Sequence, residues 1–88
     1  MAQITVYGTD WCEDTVATRK DLDSLGVKYR YIDIEQDPSA QDWVKRHSGG
    51  KQKTPTVDIN GQILVEPEKQ ELELALKRNG FMESGAKN

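Results

Sequence analysis

The 88-residue chain has one cysteine, one histidine and one phenylalanine, and no apolar run in it is long enough to span a bilayer. With Cys12 alone no internal disulfide can form, so stability has to come from packing, and a reducing compartment is favoured over secretion. One cysteine and one histidine also leave too few ligands for an intrachain zinc site, and no metal is expected. Fifteen acids against twelve bases give a net charge of -3 without any basic block, which disfavours nucleic-acid binding. The opening "MAQITVYG" lacks the basic and apolar regions of an export signal, so a cytoplasmic protein without membrane contact is the expectation. The length suits one small domain, expected over residues 1–82, with 83–88 as a flexible tail.

What is present reads as alternating strands and helices. "ITVY" (Ile4 to Tyr7) is β-branched and aromatic and stops at Gly8, a first strand. Thr9 and Asp10 are capping-type residues, Leu22 and Leu25 share a helical face, and Gly26 supplies a stop, so a helix begins close to Cys12. "KYRYIDI" (Lys28 to Ile34) predicts a second strand, and Asp37-Pro38 opens a second helix by setting a cap residue before a first-turn proline. Ala40, Trp43, Val44 and His47 recur at helical spacing before Gly49-Gly50; Trp43 reads as core and His47 as a cap on the last carbonyls. "TVDINGQILV" (Thr56 to Val65) predicts a hairpin turning at Asn60-Gly61, with Val57, Ile59 and Leu64 on one face and Ile63 and Val65 on the other. Pro67 starts a third helix, with Leu72, Ala75 and Leu76 inward, Lys77 and Arg78 near its end and Gly80 as its stop. The order β-α-β-α-β-β-α gives an α/β domain with a four-stranded mixed sheet and helices on both faces.

A lone cysteine can be buried filler, a metal ligand or a nucleophile, and by composition alone the small buried hydrophobe is the commonest state. Position changes the balance. "TDWCEDT" (Thr9 to Thr15) lies in a loop at the carboxyl end of a parallel strand, where α/β sheets place their sites. A helix start offers free amides and the positive end of the dipole, both favouring a thiolate. Glu13 and Asp14 push the other way, so the sign of the shift stays open at this point.

Strand, "WC", helix, strand, "TP", hairpin and helix, from Ile4 to about Phe81, resemble the glutaredoxin branch of the thioredoxin-like fold. "WCxxT" with "TPTVxINGxxL" carries the resemblance, and "YIDIEQDPSAQDWVKRHSGGKQKTPTV" is most similar to mycoredoxin-type bacterial glutaredoxin-like proteins. The resemblance implies a catalytic Cys12 that attacks disulfide sulfur, with Thr15 standing where a resolving cysteine would be. Thr15 cannot close an intramolecular disulfide, so a monothiol cycle with an external thiol is implied; its hydroxyl either donates to the thiolate or merely packs. Pro55 matches the family's cis-proline, with Thr54 offering its main chain to a disulfide-bearing substrate. Trp11 would form a contact surface for partner proteins, and Lys51 and Lys53 read either as carboxylate partners or as solvated loop lysines.

The implied co-substrate is a low-molecular-weight thiol, glutathione or similar, with no bound cofactor; the partners are disulfide-containing proteins or that small thiol, and the state is monomeric. Three departures bear on the small thiol. Thr9 replaces a lysine two residues before "WC", Asp14 replaces an aromatic residue inside the motif, and Val65-Glu66 replaces a Gly-Gly that lets the γ-glutamyl end approach the backbone. Two other readings come with the resemblance: an iron-sulfur carrier using Cys12 in a dimer, and a redox-inactive interaction module of the same fold.

Overall fold

Ile4, Val6 and Gly8 turn inward on one side of the first strand while Thr5 and Tyr7 are only partly covered on the other, the alternation a pleated strand imposes. The computed structural model describes residues 3–82, and the tail expected at 83–88 lies outside them. The elements are β1 (Ile4–Gly8), α1 (Glu13–Ser24), β2 (Arg30–Asp33), a 3-10 turn (Ile34–Gln36), α2 (Pro38–His47), β3 (Thr56–Ile59), β4 (Gln62–Val65) and α3 (Lys69–Arg78). The strand order is β2-β1-β3-β4. β1 runs parallel to β2 and antiparallel to β3, and β3 pairs antiparallel with β4, giving a mixed sheet.

Helices cover both faces. On one, Leu22 of α1 and Leu72, Ala75 and Leu76 of α3 pack with Ile4, Val6, Val57 and Ile59, and Leu64 lies against that cluster. Full burial of each such leucine or isoleucine stabilises by about 1.5–3 kcal/mol. The other face has a smaller cluster, Ile34, Ala40 and Val44, with Tyr7, Ile32 and Trp43 against it. Trp43 is half-buried there, its ring stacked 4.3 Å from Tyr7 and 4.1 Å from His47. His47 Nδ1 also lies 2.7 Å from the Trp43 carbonyl, so the ring engages the helix-end backbone.

Local chemistry explains most boundaries. Asp37 accepts from the Ala40 amide at 3.2 Å with Pro38 in the first turn of α2, the cap that the sequence predicts. Asn60 and Gly61 have φ of 52° and 97°, the positive angles required by a two-residue turn whose twist matches its strands, and the Gly61 amide donates to Asp58 at 2.8 Å.

Four local expectations are corrected. β2 is shorter than Lys28 to Ile34, because Ile34 leaves the sheet to bury itself while Asp33 accepts from the Glu35 amide at 2.9 Å. Neither Thr9 nor Asp10 caps α1; the N-cap is Cys12 itself, without a side-chain cap bond. α3 begins at Lys69 rather than Pro67, since Glu71 accepts from the Glu68 amide at 3.0 Å and fixes Glu68 as the N-cap. Val65 is exposed instead of joining an apolar face, because β4 is an edge strand.

Candidate active site

Thr9 is buried directly after β1, and its carbonyl accepts from the Cys12 amide at 3.2 Å, which folds the chain sharply into α1. Cys12 has extended φ and ψ of -80° and 120°, and its own carbonyl accepts from the Val16 amide at 3.0 Å. The thiol therefore stands at the mouth of the helix, beside amides that have no partner inside it. It is a free cysteine, half-buried.

The second wall arrives from the loop before β3. The Thr54–Pro55 peptide is cis, and Pro55 and Thr56 are buried. Thr56 Oγ1 donates to the Lys53 carbonyl at 2.9 Å, and the Glu66 amide donates to the Pro55 carbonyl at 2.8 Å, so the segment is held at both ends. This brings Thr54 onto the sulfur from 42 residues away: its Oγ1 donates to Sγ at 3.5 Å, and its carbonyl lies 3.8 Å from Sγ, an acceptor for the S–H.

These contacts settle the sign that the sequence leaves open. Burial pushes the Cys12 thiol up, but the Thr54 hydroxyl, the Thr15 amide and hydroxyl, and the Asp14 amide outweigh it, and the thiol lies below its ordinary value. The charges of Glu13 and Asp14 are not among the causes, and the backbone of Asp14 in fact favours the thiolate.

Thr15 is fully buried, and its Oγ1 lacks a hydrogen-bond partner in the resting arrangement. It sits beneath Gly8: a Cβ placed there would lie 2.5 Å from Thr15 Cγ2 and 2.7 Å from Oγ1. Trp11 is 72% exposed, and its Nε1 donates to Glu35 at 3.0 Å, which holds the indole on the open side of the site. The preceding residue is tied down as well, because Tyr31 donates to Asp10 at 2.7 Å and Arg19 lies 3.9 Å over the Tyr31 ring. Hydrogen bonding to that carboxylate and burial, burial foremost, raise the Tyr31 phenol well above its usual value.

Of the residues singled out in the sequence, Cys12, Thr15, Thr54 and Pro55 come together, and Trp11 flanks them. Lys51 and Lys53 are exposed on the loop leading to Thr54. A groove of about 470 Å³ adjoins the site at Pro55, lined among others by Asp14, Asp21, Glu66, Glu68 and Lys69. Glu66 occupies the Gly-Gly segment's place with φ of 50°, a left-handed conformation unusual for a residue with a side chain. Three contributors were not visible as such in the sequence: the Thr54 hydroxyl, Gly8 under Thr15, and Glu35 against Trp11. A hydroxyl residue immediately before the proline was the one available signal.

What this arrangement can do is thiol chemistry, an ionisable sulfur beside an open main-chain edge. Comparison with known proteins agrees. The glutaredoxin family model matches residues 4–64. Mycoredoxin 1 of Corynebacterium glutamicum is 42% identical over 57 residues, 65% of this chain and 70% of that protein. The glutaredoxin of Archaeoglobus fulgidus superposes with a TM-score of 0.77 at 22% identity, covering 88% of each chain. A buckwheat glutaredoxin solved with glutathione shares the fold at a TM-score of 0.66 and 21% identity, over 90% of this chain and 71% of that one. From the family match and the 42% identical relative together, the chain belongs to the glutaredoxin family.

Proposed function

We propose that the protein is a monothiol thiol–disulfide oxidoreductase. Its family and fold support thiol–disulfide exchange as the general chemistry; the single cysteine narrows this to one cycle. The Cys12 thiolate attacks one sulfur of a disulfide RS–SR′, forming Cys12–S–SR and expelling R′S⁻, which takes a proton. An external thiolate then attacks the R sulfur, restoring Cys12 as thiolate and leaving a new disulfide with R. Electrons enter from the external thiol, and the net result is exchange.

The observation that carries this reading is the sulfur's setting, half-buried at a helix N-terminus with hydrogen bonds that favour its ionised form. The Thr54–Pro55 edge would pair with an extended substrate, Trp11 would touch protein partners, and Lys53 would meet a carboxylate. The buckwheat relative's glutathione complex favours a low-molecular-weight thiol of that class as the reductant. Substrates are mixed disulfides between proteins and such a thiol, and the enzyme works as a monomer.

The test is the pH dependence of Cys12 alkylation together with turnover of a glutathione mixed disulfide. A midpoint below the ordinary ~8.5 and turnover that requires added thiol are expected. A midpoint at or above that value, with no turnover, would sink the proposal.

A further inference from the structure

Two threonines face the reactive sulfur, and the fold treats them differently. Thr15 occupies the resolving position, yet its side chain is wedged under Gly8 and its hydroxyl has no partner while Cys12 is a neutral thiol. Thr54 meets the sulfur twice, its hydroxyl donating to Sγ at 3.5 Å and its carbonyl accepting from the S–H at 3.8 Å. We infer that Thr54 is a catalytic residue: its carbonyl receives the S–H of the resting thiol and its hydroxyl holds the thiolate, making it the chief side-chain donor to Cys12. This rests on the thiol-exchange reading and adds to it a role for the side chain of a residue otherwise credited only with its main chain.

The donor is held before reaction begins. Thr56 is tied to Lys53 and the Pro55 carbonyl to Glu66, while β3 is paired on one edge with β1 and on the other with β4, so the hydroxyl needs no rearrangement when the sulfur ionises. Charged groups on the surrounding elements are Asp10 before Cys12, Glu13, Asp14 and Asp21 of α1, Lys51 and Lys53 before Thr54, and Glu66, Glu68 and Lys69 past β4. Their charges are not among the causes of the shift: burial raises the thiol, and the Thr54 hydroxyl, the Thr15 amide and hydroxyl and the Asp14 amide lower it. The same donor serves both steps. It stabilises Cys12 as attacking thiolate and again as the sulfur displaced from the mixed disulfide, whose bonding electrons return to it.

Thr54→Val removes the hydroxyl and keeps the shape and the carbonyl. The experiment titrates thiolate ultraviolet absorbance and follows exchange with uncharged 2-hydroxyethyl disulfide across pH in wild type, Thr54→Val, Thr54→Ser and Thr15→Val, with thermal melting alongside. Thr54→Val should titrate higher. Each unit of rise leaves about tenfold less thiolate below the midpoint. A Brønsted slope of about 0.4–0.5 returns part of that loss as nucleophilicity, so exchange near neutrality slows about threefold per unit and becomes faster than wild type above both midpoints.

Crossing rate profiles mark a hydrogen bond to sulfur, because damaged packing would slow exchange at every pH. Thr54→Ser should titrate with wild type, and Thr15→Val should move the midpoint less than Thr54→Val. If Thr54→Val does not fold, Thr54→Ala carries the same expectation. Coincident titration of wild type and the hydroxyl-free variant, or a larger shift from Thr15→Val, overturns the inference. The difference between variants reads the hydrogen bond wherever the wild-type midpoint falls. An undepressed wild-type midpoint without turnover instead defeats the oxidoreductase reading, so the two failures are distinguishable.

Discussion

From Lys53 to Thr56 the chain brings a hydroxyl and a carbonyl to the sulfur, in a segment fixed by main-chain and hydroxyl hydrogen bonds, whereas from Glu66 to Lys69 it carries two carboxylates and a lysine, with Glu66 in the left-handed region. The segments meet at Pro55, whose carbonyl accepts from Glu66 at 2.8 Å. The first tunes the nucleophile through short-range directional contacts. The second lines the groove beside Pro55. On the proposed function the first segment bears chiefly on the sulfur and the second on the bound thiol, and substitutions test whether the two separate.

Cys12→Ser deletes the atom both segments serve. Turnover of a glutathione mixed disulfide should fall by at least about a thousandfold, since a serine hydroxyl is barely ionised at neutral pH. Retained turnover would remove the basis of the comparison.

Gly8→Ala tests how tightly the nucleophile's own support is packed. Its new Cβ meets Thr15 within 3 Å, and overpacking of this kind costs about 1–3 kcal/mol. Denaturant unfolding should show that loss, and the double variant Gly8→Ala/Thr15→Ala should recover part of it. An additive double variant would mean that the two side chains are not in contact.

Glu66→Gly addresses the charged segment. It removes a left-handed side chain, for a gain of up to about 1 kcal/mol in stability. Removing one exposed negative charge should also lower KM for a glutathione mixed disulfide about fivefold, the equivalent of ~1 kcal/mol. The Cys12 alkylation profile should stay unchanged. Glu66→Gln separates charge from bulk, and an alkylation midpoint that moved in either variant would merge the two roles.

The smallest effect is in stability against pH. Cys12 titrates lower folded than unfolded, so its contribution is complete above the unfolded value and is lost as pH falls through the folded one. Melting temperature of wild type relative to Cys12→Ser should therefore rise modestly from about pH 6 to about pH 9.5, spanning the ordinary thiol value of ~8.5. A flat difference would contradict the depressed thiol.

Much of the fold was legible because its signals are local. Asn60-Gly61 can satisfy two positive φ angles cheaply, and Asp37-Pro38 starts a helix whose cap is a bond to the Asp37 carboxylate from a backbone amide only three residues on. Where the structure differs from these expectations, a residue of the right type had its role set by its surroundings. Thr9 looks like a cap, yet it is buried and its hydroxyl bonds to nothing among the described residues. Pro67 suits a first turn, but the Glu68–Glu71 bond sets the start. Val65 alternates correctly, and an edge strand leaves it exposed. In the site, Cys12, Thr15 and Pro55 could be placed by resemblance to a family, whereas the Thr54 hydroxyl on sulfur and Glu35 on Trp11 join positions 42 and 24 residues apart, and Gly8 over Thr15 depends on how the chain folds back between β1 and α1.

By itself the sequence determined the element order, the hairpin turn, the lone thiol at a helix start and, with that single thiol, the absence of any internal disulfide. These depend on residue type and spacing over a few positions. Only the folded molecule brings the Thr54 hydroxyl within 3.5 Å of the sulfur, one of the hydrogen bonds that lower the thiol against the effect of burial. The balance between burial and hydrogen bonding at one sulfur depends on atoms brought together from opposite halves of the chain, and spacing along the chain does not encode their distances.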